Sequence, residues 1–152
     1  MSERRPLKFA DADAVAADVR RLREGCTQCG NWSLQQTCWH LAKALRASMR
    51  PGPHEPVETG IVKKMQLRAI LMAGRIPSGV KAPQHVVPPA DVPEAAIDDF
   101  LMALEELKQF KAHFAPHRML GHVEHDDFIR LHLIHCAHHL SRLRPAVAAG
   151  SH

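Results

Sequence analysis

Apolar residues recur at helical spacing in five stretches of this chain, and no stretch reads as a convincing strand. Val15, Val19 and Leu22 fall at i, i+4 and i+7 behind Asp11 and Asp13. Either acid can accept a backbone N–H as an N-cap, so a first helix is expected there, bracketed at its end by Gly25 and Gly30. Ser33 with Gln36 three residues on reads as a capping box. It predicts a second helix with Leu34, Cys38, Leu41 and Leu45 on one face, ending before Pro51-Gly52-Pro53. A third helix is predicted from about Ile61 to Arg75, with Val62, Met65, Ala69 and Met72 in phase. A Pro-rich connection from Ile76 to Val92 follows, and loops of that length often lie over functional sites. Pro93 and Glu94 suit the opening of a fourth helix, whose stripe of Ile97, Phe100, Leu101, Leu104, Leu107 and Phe110 is the strongest periodic signal in the chain. After a second loop, His113 to His125, a last helix is predicted from Asp126-Asp127 to about Arg144, before Pro145.

Amphipathic helices without strands pack most simply as an all-α bundle, here four helices with one additional shorter one. At 152 residues the chain has room for one core, expected over residues 1–145 as a single domain, with 146–152 a disordered tail. Composition agrees: Tyr is absent and Phe and Trp are few, whereas strands draw on aromatic and β-branched residues. Met1 to Ala10 carries Arg4, Arg5 and Lys8 without an apolar core, so it does not read as a signal peptide. No apolar run approaches the roughly 20 residues that span a bilayer. A cytoplasmic, bacterial-type protein without a membrane partner is the expectation.

The net charge of +4 is modest, and the basic residues are interleaved with acids, as in Arg20-Arg21-Leu22-Arg23-Glu24. That is the pattern of a solvated helix face, and no basic-aromatic alternation points to nucleic acid. Cys38 and Cys136 sit inside helical patterns and read as reduced thiols. Cys26-Thr-Gln-Cys29 has the spacing of a zinc half-site or redox pair but lacks the second pair or the surrounding strands that either would need. It is read as two thiols at a helix end.

The chemistry concentrates in histidine. In the last helix Ile129, Leu133, Cys136, Leu140 and Leu143 share one face, while His132, His135 and His139 cluster about 90° away along its border. His135 and His139 are spaced i, i+4, so their rings can converge on one ion from adjacent turns. His40 supplies a third ring from the second helix, with Thr37, Ala44 and Ala47 as small neighbours that let another helix approach. His132, one turn before His135, is expected to line the pocket as a catalytic or substrate-contacting group, leaving the ion an open position. Since imidazole must be neutral to ligate, metal affinity is expected to fall below the ordinary histidine pKa of about 6.5. His113 and His117 are also i, i+4, but Pro116 places them in a loop. No H-E-x-x-H or Glu-x-x-His occurs, so a zincin protease lacks its general base and a ferritin-like di-iron site its bridging set. The absence of G-x-S-x-G, P-loop and G-x-G-x-x-G disfavours serine hydrolases and nucleotide enzymes.

Two stretches, Gly30-Asn-Trp-Ser-Leu-Gln-Gln-Thr-Cys-Trp-His40-Leu-Ala and Leu131-His-Leu-Ile-His135-Cys-Ala-His-His139-Leu, resemble the DinB/YfiT-like metalloenzyme superfamily, and within it a bacterial branch known as a domain of unknown function. The Trp-Ser pair, the histidine seven residues after Ser33 and the terminal H-x-x-x-H carry the resemblance. It implies a DinB-like four-helix bundle running up-down-down-up, with one divalent metal held by His40, His135 and His139. Zinc or nickel leads, and iron or manganese is compatible. His138 stands where relatives often have an aromatic residue, and Leu140 and Ser141 follow the last ligand in place of the usual Arg or Gly, so substrate specificity does not transfer. The resemblance further implies a small-molecule substrate, a low-molecular-weight thiol as co-substrate, and a homodimer as the common assembly of such bundles. The leading functional expectation is a thiol-dependent S-transferase acting on a small electrophile. The alternatives are a metal-dependent hydrolase and a non-catalytic, stress-related metal-binding module.

Overall fold

The computed structural model describes residues 4–77 and 84–146. Asp11 caps α1 (Ala12–Arg23), its side chain accepting the Ala14 N–H at 2.8 Å, so Asp11 and not Asp13 starts the helix. The capping box forms at α2 (Leu34–Ser48): Gln36 N–H donates to Ser33 Oγ at 3.1 Å and Ser33 N–H donates to the Gln36 side chain at 2.9 Å. Next come α3 (Ile61–Ala73), closed by Gly74 at φ +69°, and a single 3-10 turn, Gln84–Val86. The helices α4 (Ala95–Gln109) and α5 (His125–Leu140) complete the helical set.

Contacts between helix ends give the topology. Asp13 at the start of α1 meets Lys108 at the end of α4, and Arg23 at the end of α1 meets Asp98 at the start of α4, so these two are antiparallel. Gln36, at the start of α2, donates to Pro89 O just before α4, and Ala115, beyond the end of α4, donates its N–H to Ser48 O at the end of α2, so these two helices run parallel. Ser48 at the end of α2 meets His132 early in α5, while His40 meets His135 further along it; that pair is antiparallel. The order is up-down-down-up. Parallel neighbours such as α2 and α4 need a long return connection, and the chain spends residues 49–94, α3 included, on it.

Val15, Val19, Leu22, Leu41, Leu45, Ile97, Phe100, Leu104 and Leu140 pack into one core at 2% exposure or less. Each contributes about 1.5–3 kcal/mol of transfer free energy, and together they fix the rotation of α1, α2, α4 and α5 about their axes. The stripe expected on α4 is the buried one, with Leu101 and Phe110 at its margin.

Three expectations are corrected. Val62, Met65 and Met72 of α3 are 65%, 64% and 80% exposed, and the helix rests on α5 through the opposite edge, with Leu67 and Ile70 partly buried. The helix carries two apolar stripes, and periodicity alone cannot say which faces inward. The last helix stops at Leu140 instead of Arg144, and Leu143–Pro145 forms β2, antiparallel to β1 (Cys26–Gln28). Here tertiary partners outbid the helix: Arg5 donates to the carbonyls of Leu140 (3.0 Å) and Leu143 (2.6 Å), and its guanidinium pairs with Asp18 through two bonds of 2.8 and 2.9 Å. Ala146, placed in the tail by the sequence, donates its N–H to the Gly25 carbonyl at 2.8 Å. Residues 147–152 and Pro83 lie outside the described residues.

Candidate metal centre

The capping box sets where α2 begins and so where His40 stands, seven residues into the bundle and 3% exposed. Thr37, one turn earlier, is buried beside it, whereas Ala47 is exposed and plays no part in the approach of α5. From α5, His135 and His139 turn their rings toward His40. His135 Nε2 lies 3.3 Å from His40 Nε2 and 3.1 Å from His139 Nε2. One nitrogen from each of the three rings falls within 4.8 Å of the others.

The 3-10 turn covers the buried side of the cluster. Its Val86 carbonyl is 2.7 Å from His40 Nδ1, and since a carbonyl only accepts, Nδ1 carries the proton and Nε2 presents a lone pair. Gln36 Nε2 donates to Pro89 O at 3.0 Å and fastens the same connection to α2. Trp32, just before the cap, stacks on His139 with ring centroids 5.2 Å apart and planes 18° apart, and lies tilted 4.9 Å from His40.

Electrostatics keep the rings neutral. Burial is the main cause in each case. It pushes His40 below the ordinary value, His135 well below it, and His139 to about 2, with the neighbouring imidazoles adding to the last two. Competition by protons is therefore displaced to lower pH than the ordinary value of about 6.5 that the sequence suggests.

The structure does not bring His132 into this set. It is 5% exposed, its Nε2 sits 2.8 Å from Ser48 Oγ, and its ring stacks on Phe128 at 4.8 Å with Phe114 beyond. Ser48 Oγ already donates to Leu45 O at 2.7 Å, so the ring donates to the hydroxyl. His117 spends Nδ1 on the N–H groups of Met119 and Leu120, both at 3.1 Å, and His113 is exposed; that pair does not converge. Cys26 pairs with Pro145 in extended β1, which separates the Cα atoms of Cys26 and Cys29 by about 10 Å, beyond disulfide reach. Cys29 Sγ donates to Arg142 O at 3.0 Å. All four cysteines are free, and burial pushes the Cys136 thiol up to about 12 and Cys38 higher still, so neither is a nucleophile. A groove of about 430 Å³, lined by Arg50, Lys63, His117 and Arg118 among others, is not lined by any of the three clustered histidines.

Fold and site together define a helical bundle with three convergent histidines, a centre compatible with a divalent metal ion. The chain belongs to the family described as "Protein of unknown function (DUF1569)", whose pattern it matches over residues 1–146. No curated protein and no solved structure matches it. Among the described residues no helix is long and apolar enough to cross a membrane.

Proposed function

We propose that the protein is a metal-dependent enzyme whose single divalent ion is held by His40, His135 and His139. One observation carries this reading. His135 Nε2 faces His40 Nε2 at 3.3 Å and His139 Nε2 at 3.1 Å with His40 Nε2 fixed as a lone pair, and one Nε2–H on His135 could serve His40 or His139 but not both. A shared cation relieves this. A tetrahedral ion with metal–nitrogen bonds of about 2.0–2.1 Å would set neighbouring ligands about 3.3 Å apart, close to the two separations from His135.

When bound there, the ion supplies Lewis-acid chemistry at an open position, acidifying a thiol or a water molecule. The chain's own residues do the rest. Burial keeps the three rings neutral and so ligation-competent, and Val86 and Trp32 hold two of them in orientation. His40 closes the inner side, while His135 and His139 are only partly buried and leave the outer side for a small molecule. His132 enters as a positioning residue: its bond to Ser48 pins α5 against α2 below the cluster. The resemblance to DinB/YfiT-like metalloenzymes favours thiol-dependent transfer onto a small electrophile, in a cytoplasmic setting. Turnover of a panel of thiols with electrophiles, before and after chelation, tests the reading. Activity lost on chelation and restored by one metal is expected; turnover unchanged by chelation overturns it.

A further inference from the structure

The rim of the histidine cluster carries two guanidinium groups and, among the described residues, no carboxylate paired with either. Arg142 follows His139 by three residues, its N–H donating to His139 O at 3.3 Å and its own carbonyl accepting Cys29 N–H at 2.8 Å. Its stem crosses Gly30, where a Cβ would sit 3.0 Å from Arg142 Cδ, so the absence of a side chain there is what admits the arginine. Arg142 Nε has no hydrogen-bond partner, and the residue as a whole is only partly buried, so its head keeps access to solvent. Arg4 is laid along the same end of α5, because the next residue, Arg5, donates its N–H to Ser141 O at 2.9 Å. The acid on this side, Asp18, is committed to Arg5.

Electrostatics agree with the geometry. Burial and then Arg4 push the Arg142 guanidinium below its ordinary value, as expected of two cations at one end of α5. Three neutral imidazoles would leave a divalent ion its full charge, and Arg142 and Arg4 are carried at the same end of α5 as His139. Such a concentration of positive charge, with an unpartnered donor at its edge, is complemented by an anion.

We propose that Arg142, with Arg4 beside it, binds a carboxylate on the small molecule whose donor atom reaches the three-histidine centre. The substrate class is a carboxylate-bearing ligand, and the inference rests on the metal reading above. It is tested in the full-length protein loaded with Co(II), titrated with mercaptoacetate and, separately, with uncharged 2-mercaptoethanol, reading the thiolate-to-cobalt absorption band. Mercaptoacetate is expected to bind at least about tenfold more tightly, the scale of one charge-assisted hydrogen-bond pair. The preference is expected to vanish in Arg142→Met, whose unbranched stem still packs over Gly30, to shrink in Arg4→Ala, and to survive in part in Arg142→Lys. Thermal melts and Co(II) stoichiometry verify that each variant is folded and loaded. With Co(II) bound, equal affinity for the two thiols, binding of neither, or a preference that persists in Arg142→Met overturns the inference and leaves the metal centre standing. If the wild-type protein takes up no Co(II), the metal reading itself fails and this inference falls with it.

Discussion

His40 donates its Nδ1–H to the carbonyl of Val86, 46 residues away in the chain, at 2.7 Å. That bond fixes the tautomer that leaves Nε2 as a lone pair aimed at His135. A turn in the long connection thus orients one ring of the three-histidine cluster assembled by α2 and α5. Neighbours that orient ligating imidazoles typically matter by 10–100-fold in metal affinity.

Trp32 is expected to act in the same way on His139. Trp32→Ala removes the stacked ring at 5.2 Å, so metal affinity should fall by roughly tenfold while stoichiometry stays at one. Competition with a chromophoric chelator measures this. Unchanged affinity would show that the stacked ring does not orient His139.

Arg5 carries a structural burden that its place in a basic N-terminal segment conceals. It and Asp18 are 12% and 10% exposed, and its guanidinium also serves two carbonyls at the end of α5. Arg5→Ala leaves Asp18 buried and unpaired, with an expected loss of about 3–5 kcal/mol by urea denaturation. A loss below about 1 kcal/mol, the value of an exposed pair, would contradict this.

How much of this was legible in the sequence depends on how local each signal is. The capping box of Ser33 and Gln36 and the i, i+4 spacing of His135 and His139 are written within one or two helical turns, and both appear where expected. Val86, Arg5 and the β1–β2 ribbon are partners across long separations, which periodicity does not report. His132 lies on the border of the core stripe by helical angle, yet Phe114, from the loop before α5, contributes to its burial. On α3 the wheel offered two apolar faces, and only packing on α5 chose between them.

The buried histidines also predict how stability responds to acid. Burial, and after it His117, lowers the His132 pKa to about 3, against about 6.5 in an unfolded chain. As the pH falls below 6.5 the unfolded state takes up the proton first. The stabilisation is therefore complete above 6.5 and is lost as the pH drops toward 3. One such proton gives a slope of about 1.4 kcal/mol per pH unit. In metal-free protein, His132→Leu should flatten the dependence of the urea-derived free energy on pH between 6 and 3.5 by about that slope. An identical slope in both proteins would place the titration elsewhere.

The most direct test of the three-histidine centre is elemental analysis of protein purified, dialysed and reloaded with Zn(II), comparing wild type with single alanine variants. One ion per chain is predicted for wild type and for His113→Ala and His117→Ala, whose rings do not converge. His40→Ala, His135→Ala and His139→Ala are each predicted to lose stoichiometric binding, because two imidazoles alone hold zinc poorly. Full occupancy in His135→Ala and His139→Ala alike would contradict the account.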